Sequence, residues 1–266
     1  MARNLFLNPI QILRLAAFAL LLGRGWQFVF LQTPFHLWQE NPGDTSWIIS
    51  SIGVYWIICS VLVWFVKTGD RWLQLLLVLA VVPLLVMTFA MWQTSQYQLA
   101  QLIEQTAQWA TPLLLLYSLS AFPGMWFSVQ NAPSFDRMTL IVIALVFTGH
   151  GLYASGVFPQ PANFHYMVTS ILGVSGPPAS RFLLAAGIVD FAVSIGIFLP
   201  RFRRLSLIYM TIWGLLTAFA RIVAYVSPAD LNTTLFEWLP QMLFRLPHGL
   251  LPLVIFQKNY LQKKKL

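Results

Sequence analysis

Charge is scarce in this sequence. Only 9% of the residues are Asp, Glu, Lys or Arg and 58% are hydrophobic, whereas charged residues make up about 25% of an average soluble domain. This balance excludes a soluble globular domain and indicates a polytopic membrane protein. Basic residues outnumber acidic ones by 16 to 8. Because most of them stand in short loops and at the C-terminus, they indicate helix orientation rather than nucleic-acid binding.

Cysteine is nearly absent, since Cys59 is the only one and stands in an apolar segment. A single cysteine excludes an internal disulfide and a cysteine-based metal site, and we predict a small buried side chain. The four histidines show no HxxxH or HxxE spacing, and no segment has a recognisable haem, flavin or iron–sulfur motif. We therefore predict no metal site.

Most of the sequence consists of long apolar runs. Eight runs reach the roughly 17 to 25 residues that cross a bilayer, so we predict an all-α helical bundle of about eight transmembrane helices. The longest connection, 158–179, is expected to hold a short interfacial helix. The polar stretch 93–107 is expected to extend the third or fourth span beyond the lipid. The predicted spans are 10–31, 47–66, 71–92, 108–127, 138–157, 180–199, 204–226 and 239–257.

The loop charges predict the orientation, because Lys and Arg mark the cytoplasmic face. In an eight-span arrangement nearly all basic loop residues fall on one side, so both termini are expected to be cytoplasmic. That side carries Arg3, Lys67, Arg71, Arg137, Arg201, Arg203, Arg204, Lys258, Lys263, Lys264 and Lys265. The other side carries Glu40, Asp44, Glu104, Asp230 and Glu237, with Arg181 as its one basic residue.

The sequence shows signs of an internal repeat. Gly149-His150-Gly151 aligns with Gly23-Arg24-Gly25, and further along Gly187 falls opposite Gly53. These matches predict a tandem duplication of a four-helix unit within a single membrane domain. The halves would be 1–132 and 133–266.

Six ionisable residues are predicted at the middle or in the outer half of the membrane. Such residues usually face the bundle interior or a watery cavity, so we expect all six to converge on one site. They are Arg24, His150, Asp190, Arg221, Arg245 and His248. Arg14, near the inner end of the first span, is instead expected to reach lipid phosphates.

The charge count of this cluster predicts a ligand. Three arginines against Asp190 leave a net charge of +2 (3 − 1), and an apolar interior does not tolerate unpaired charge. Water, lipid phosphate, a neighbouring subunit, or an anionic or quinone-like ligand would neutralise it; a purely structural network is the alternative. We assign Arg24, Arg221 and Arg245 to binding an oxyanion or quinone oxygen. His150, Asp190 and His248 are assigned to proton relay in catalysis.

Several motifs resemble the DoxX/DoxD-like membrane proteins. These are an early LRL, the segment Gly23-Arg24-Gly25-Trp26, and GIVDFAVSIGIFLPRFRRL, in which Asp190 takes the place of a frequent acidic residue. The resemblance implies four-helix units in a bacterial inner or plasma membrane and a quinone as cofactor, since characterised relatives are membrane subunits of thiosulfate:quinone oxidoreductase. Trp56 stands where the first half would offer a carboxylate, which implies that this half is scaffold.

Three functions remain open on the residues alone. The first is a quinone-linked redox component that binds a small anion or quinone at the outer-half site. The second is an accessory or structural subunit of a larger membrane complex. The third is a transporter of a small anionic or lipid substrate, in which two halves rock around the site. The residues do not decide whether the protein is an enzyme, but in each case its partners include the lipid bilayer and exclude nucleic acid.

Overall fold

The computed structural model of the protein describes residues 8–31, 42–120 and 133–263, with the backbone alone at 42–45, 120 and 260–263. Within these ranges the chain is helical and has no strand, which confirms the all-α prediction. Five helices are long and apolar enough to cross a membrane, and a bent helix pair adds a sixth. The protein is therefore a multi-pass integral membrane protein.

The helices follow one another through short connections. Their bounds are α1 Pro9–Trp26, with a π-helical continuation Gln27–Leu31, α2 Pro42–Leu62, α3 Arg71–Thr94, α4 Leu99–Glu104, α5 Thr106–Ser120, α6 Pro133–Ala154, α7 Ala162–Leu172, α8 Pro177–Gly196, α9 Arg203–Val223, α10 Leu231–Leu243 and α11 Pro247–Lys263.

Polar side chains cap several of these helices. The Asn8 side chain accepts a hydrogen bond from the Ile10 amide, and the Gln11 side chain accepts one from the Asn8 amide, so a capping box starts α1. Asp230 caps α10 by accepting from the Thr233 amide. Hydrogen bonds from the Thr233 side chain and amide hold the pKa of Asp230 below its ordinary value.

The predicted spans match helices of unequal length. The five long apolar helices are α1 with its π-helical continuation, α3, α6, α8 and α9, whereas Ser46–Leu62 of α2 is a shorter apolar segment. The predicted span 108–127 corresponds to α5, and its part beyond Ser120 lies outside the described residues. The predicted span 239–257 is broken, because α10 and α11 meet at a bend of 42°. Pro247 begins α11, and a proline disfavours helical geometry in the residue before it.

The polar stretch 93–107 does not extend a span. Helix α3 ends at Thr94, and Gln96 and Tyr97 have positive φ angles of 55° and 61°. This left-handed turn reverses the chain into α4. As a result Glu104, Gln105 and Gln108 are buried in the bundle.

The connection 158–179 does contain a short helix, α7, as predicted. It ends at Gly173, whose φ of +70° suits glycine at a helix C-terminus. Ser170 Oγ donates a hydrogen bond of 2.8 Å to the Ala224 carbonyl oxygen, and Val168 packs against Leu183. Helix α7 is thereby held against α8 and α9.

Glycines allow close helix packing. A Cβ on Gly25 of α1 would lie 2.8 Å from the carbonyl oxygen of Gly53 on α2. Likewise, a Cβ on Gly187 of α8 would lie 2.9 Å from the carbonyl oxygen of Gly151 on α6. Small residues at such crossings let helix backbones approach within a membrane.

Two basic residues make contacts that the sequence does not predict. Lys258, predicted to lie with the basic residues of the cytoplasmic side, has a fully buried side chain whose Nζ lies 2.5 Å from Asp136 Oδ1. Arg14 donates to the carbonyl oxygens of Trp64 and Val66 rather than pointing only to lipid. These carbonyls follow the last turn of α2, where helical partners run out.

Apolar side chains cover the outside of the bundle. Ile188 and Ile195 on α8, together with Ile212 and Leu216 on α9, are each more than half exposed. A soluble protein rarely exposes so large an apolar surface. The lipid bilayer is the environment in which this surface is stable.

Candidate functional site

The sequence-predicted residues gather at one end of the bundle. Arg24, His150 and Arg221 stand near the C-terminal ends of α1, α6 and α9. These helices finish where α11 begins, with Arg245 just before its first turn and His248 within it. We call this end of the bundle the site end. Asp190 lies in the second half of α8 and lines the same cavity as four of these residues.

Arg24 is enclosed by side chains of the protein and is 2% exposed. Its Nε donates to Gln108 Oε1 at 2.7 Å, and its two terminal nitrogens donate to Gln27 Oε1 at 2.6 Å and Gln105 Oε1 at 3.4 Å. The guanidinium also lies 3.7 Å from the ring centroid of Phe244. Every guanidinium nitrogen therefore has a partner within the chain. Arg24 joins α1 to α5 and to the α10–α11 junction.

Glu104 is the carboxylate at the centre of the cluster. It is 8% exposed, and its Oε1 lies 4.0 Å from Nδ1 of His150. Gly149 permits this approach, since a Cβ there would lie 2.8 Å from the Glu104 amide nitrogen. Glu104 is also an attractive electrostatic partner of all three arginines, Arg24, Arg221 and Arg245.

The break between α10 and α11 positions Arg245 and His248. His248 is 5% exposed, and its Nδ1 lies 2.7 Å from the Arg245 carbonyl oxygen. Because a carbonyl only accepts, the neutral imidazole carries its proton on Nδ1 and leaves Nε2 as an acceptor. The ring centroids of His248 and His150 are 5.2 Å apart. The Arg245 guanidinium lies 4.6 Å from the Phe244 ring centroid.

Arg221 differs from Arg24 because two of its three guanidinium nitrogens have no hydrogen-bond partner in the described residues. It is 3% exposed, yet its Nε and Nη1 have no hydrogen-bond partner in the described part of the chain. Arg245 repels it, and Glu104 attracts it without coming within 4.0 Å. A buried donor without a partner costs about 1–3 kcal/mol, and more when it is charged. Arg221 is therefore the unsatisfied cation of the site.

Asp190 connects α8 to α9. Its side chain is 2% exposed and accepts a hydrogen bond of 3.4 Å from the Tyr209 hydroxyl. Trp213, one turn further along α9, lines the same cavity. The hydrogen-bond partner of Asp190 is thus a neutral hydroxyl rather than a guanidinium.

A cavity of about 440 Å³ lies between α6, α7, α8, α9 and α11, and we call it the apolar cavity. Its polar residues are His150, Asp190, Thr217, Arg221, Arg245 and His248, and most of the others are aliphatic or aromatic. Leu216, Phe219 and Val223 on its wall are 55%, 49% and 56% exposed. The cavity is therefore bordered by residues on the lipid-facing surface.

A second cavity of about 320 Å³ lies beside the first, and we call it the polar chamber. Its lining includes Gln98, Gln101, Glu104, Gln105, Tyr153 and Asn163. Oδ1 of Asn163 is buried and has no partner in the ranges that the structure describes. Arg221, Arg245 and Phe164 line both cavities, so they form the wall between them.

Sequence reasoning found the cations and histidines of this site but missed the residues of α4 and α5. The sequence predicts Glu104 only as an acidic residue on the outer side, and it predicts no role for Gln105 or Gln108. The available signal was a polar helical face, since Gln101, Gln105 and Gln108 follow an i, i+4, i+7 pattern.

Of the two remaining histidines, the structure describes His165. His165 is on α7, with its Nε2 2.5 Å from Gln160 Oε1. His36 lies outside the described residues.

The charge of the site is lower than the sequence count suggested. With Glu104 included, three arginines face two carboxylates, which gives +1 (3 − 2) when both carboxylates are ionised. At least one negative charge is therefore needed to neutralise the site.

Comparisons of this chain with known protein families, with curated proteins and with solved structures find no match. The likeness to the DoxX/DoxD-like proteins therefore depends on the quoted residues alone.

Proposed function

We propose that the protein binds a lipid-soluble ligand whose head group carries an anionic or carbonyl oxygen. The observation behind this proposal is Arg221, which is 3% exposed, has two unpartnered nitrogens and lines the apolar cavity. An oxygen acceptor in the cavity would complete its hydrogen bonds. Arginine suits this role because its planar fork contacts oxyanions through two parallel hydrogen bonds.

The position of the apolar cavity favours a ligand that enters from the bilayer. Leu216, Phe219 and Val223 border it and are about half exposed on the lipid-facing side. A hydrocarbon or prenyl chain would contact these side chains, while its head group would reach Arg221. The volume of about 440 Å³ lies in the range of small-molecule pockets.

The electrostatics favour an anionic head group. Even with both Glu104 and Asp190 ionised, the three arginines leave a net charge of +1 (3 − 2). Arg24 already has protein partners on every nitrogen, so we assign ligand contact to Arg221 and Arg245 and a positioning role to Arg24.

A quinone-linked redox role of the DoxX-like kind is the second candidate, and the histidine pair favours it. His150 and His248 both line the apolar cavity with ring centroids 5.2 Å apart, and Glu104 lies 4.0 Å from His150. These groups would supply protons to a quinone held at Arg221. The electrons would come from a partner subunit or a soluble reductant, which fits an accessory-subunit role.

We further propose that the chain is a tandem duplication with eight spans and both termini on the cytoplasmic side. In support, the aligned glycine pairs make the same kind of crossing, Gly25 with Gly53 between α1 and α2, and Gly151 with Gly187 between α6 and α8. Helices α2 and α5 and the bent α10–α11 pair would complete the count of spans.

Aligned polar positions also support the duplication. Trp56 Nε1 on α2 donates a hydrogen bond of 2.9 Å to the Ala80 carbonyl oxygen on α3, and Asp190 on α8 accepts one of 3.4 Å from the Tyr209 hydroxyl on α9. Both contacts join the second long helix of a half to the third. The first half offers no carboxylate at this position, where Trp56 stands, and it contributes Glu104 and Gln105 to the site instead.

Ligand binding by the purified protein in lipid nanodiscs tests this function. Phosphatidylglycerol, phosphatidic acid and a prenyl quinone would be titrated, with quenching of Trp213 fluorescence relative to a Trp213→Phe variant as the signal. We expect at least one of them to bind, and Arg221→Gln to weaken binding by roughly 10-fold or more, as loss of a charge-assisted hydrogen bond predicts. The matched control is Arg204→Gln, an exposed arginine near the start of the same helix.

Binding that is unchanged by Arg221→Gln, or no binding of any of the three ligands, would contradict the proposed function. Binding of the quinone alone would favour the redox candidate.

A further inference from the structure

We propose that the ligand is a phosphodiester lipid with a hydroxylated head group, which occupies both cavities at once. Its chain would lie in the apolar cavity, its phosphate between Arg221 and Arg245, and its hydroxyl groups in the polar chamber. This inference rests on the proposed function and specifies the ligand class for the same site.

The apolar cavity and the polar chamber share one wall. Arg221 and Arg245 line both the apolar cavity and the polar chamber, with Phe164 beside them. An anionic group held by these arginines therefore has an apolar space on one side and a polar space on the other. A phosphodiester has the same arrangement, because it joins an apolar chain to a polar head group through one anionic phosphate.

The polar chamber presents both hydrogen-bond donors and an acceptor to a bound head group. The side-chain oxygens of Gln101 and Gln105 are already used, since Gln101 accepts from Tyr153 and Gln105 accepts from Arg24. Their amide NH₂ groups remain as donors. Asn163 Oδ1 is buried and unpartnered in the described part of the chain, so it requires a donor.

Hydroxyl groups satisfy both requirements, because each one donates and accepts. A phosphomonoester head group has acceptors for the two glutamines, but once ionised it lacks a donor for Asn163 Oδ1. A choline head group offers no hydrogen-bond donor and carries a positive charge beside two arginines. The polar chamber therefore favours a polyol such as glycerol or a sugar.

The three arginines of the site outnumber its two carboxylates, so the site carries at least one net positive charge. This excess favours an anionic phosphate over a neutral or zwitterionic head group. Two sources share the favoured chemistry: a glycerophospholipid such as phosphatidylglycerol, and a prenyl-linked phosphosugar.

The experiment compares lipids by native mass spectrometry of the full-length protein released from nanodiscs. Four probes would be used: dioleoyl phosphatidylglycerol, dioleoyl phosphatidic acid, dioleoyl phosphatidylcholine and a prenyl phosphoglucose. We expect phosphatidylglycerol or the prenyl phosphoglucose to bind at least 10-fold more tightly than the other two. The tighter of these two probes identifies the source of the ligand.

The variant Asn163→Leu isolates the head-group contact. It should reduce the preference for phosphatidylglycerol over phosphatidic acid at least 5-fold while leaving phosphatidic acid binding within 2-fold. Asn232→Leu, an exposed asparagine on α10, is the matched control. Melting temperatures of both variants would show that the fold is retained.

Each outcome separates this inference from the function on which it rests. Equal binding of the two anionic glycerophospholipids, with no effect of Asn163→Leu, would overturn the head-group assignment and leave the proposed function standing. Binding of a prenyl quinone in place of every phospholipid would overturn it as well. If neither these four probes nor a prenyl quinone binds to the folded protein, both the inference and the proposed function are overturned.

Discussion

The ring centroids of His150 and His248 lie 5.2 Å apart, although the two residues belong to α6 and α11. Both rings line the apolar cavity, and Glu104, 4.0 Å from His150, lines the polar chamber. The contact between His150 and Glu104 therefore connects the two cavities through groups that can carry a proton. Gly149 makes this possible because any larger residue would separate α6 from α4.

The two most deeply buried arginines of the site should respond oppositely to removal. Arg221→Met removes a buried cation with two unpartnered nitrogens, so ligand-free protein should keep its stability or gain about 1–2 kcal/mol. Arg24→Met strands the oxygens of Gln105 and Gln108 in the interior, so it should lose about 3 kcal/mol or more. Thermal unfolding in a delipidated detergent preparation measures both changes.

Equal destabilisation by the two substitutions would show that Arg221 has structural partners and would remove the main support for a ligand at this position. If Arg221→Met is more stable than the unsubstituted protein without ligand, and this difference disappears when ligand is added, Arg221 lowers stability in order to bind the ligand. Functional sites often show such a trade-off between stability and binding.

The sequence predicted which cations and histidines converge, because residues of this kind inside an apolar helix rarely face lipid. Arg24, His150, Arg221, Arg245 and His248 are accordingly brought together at the site end. It did not predict how the arginines differ. Their difference depends on Gln105 and Gln108, which reach Arg24 only because the turn at Gln96 and Tyr97 reverses the chain.

The sequence also did not predict the ion pair between Lys258 and Asp136. Lys258 follows an apolar segment and precedes a lysine-rich tail, a pattern typical of a cytoplasmic anchor. Only the packing of α6 against α11 places Asp136 beside it. The length of the apolar runs predicted which segments form helices. It did not predict the bend between α10 and α11, which depends on the local effect of Pro247.

Breaking the ion pair between Lys258 and Asp136 should have asymmetric effects. Lys258 is fully buried while the Asp136 side chain is 28% exposed. Asp136→Asn leaves an uncompensated buried cation and should cost about 3–5 kcal/mol. Lys258→Met leaves a carboxylate that water can reach and should cost less.

The double variant Asp136→Asn/Lys258→Met should recover most of the stability that Asp136→Asn loses, because it removes the buried charge. A double-mutant cycle of unfolding free energies measures this coupling. Additive losses would show that the two side chains do not interact in the membrane.

Gly187 should not tolerate a methyl group. A Cβ there would lie 2.7 Å from the Ser155 amide nitrogen and 2.9 Å from the Gly151 carbonyl oxygen, and backbone atoms cannot move aside singly. Gly187→Ala should therefore destabilise the protein by about 1–3 kcal/mol. It should also weaken ligand binding, since α6 and α8 carry His150 and Asp190 on the cavity wall.

The matched control is Ala185→Leu, two residues earlier on α8 and exposed toward lipid. It adds more volume than Gly187→Ala but should change stability little. If the two variants unfold alike, the close crossing of α6 and α8 does not occur.

The eight-span arrangement predicts which loops share a side of the membrane. In a background where Cys59 is replaced by serine, single cysteines would be introduced as Lys67→Cys, Val157→Cys, Arg201→Cys and Ser227→Cys, all at exposed positions. An impermeant maleimide added to intact cells should label Val157→Cys and Ser227→Cys. Lys67→Cys and Arg201→Cys should react only after the membrane is opened, because α2 and α8 end on the cytoplasmic side of the proposed arrangement.

The proposed arrangement has an odd number of crossings between Lys67 and Val157, so these two positions should lie on opposite sides of the membrane. If Lys67→Cys and Val157→Cys are labelled from the same side, the number of crossings between them is even, and the two halves are not equivalent. Since the site end lies next to Val157 and Ser227 in the structure, the same experiment decides whether the polar chamber faces the cell exterior.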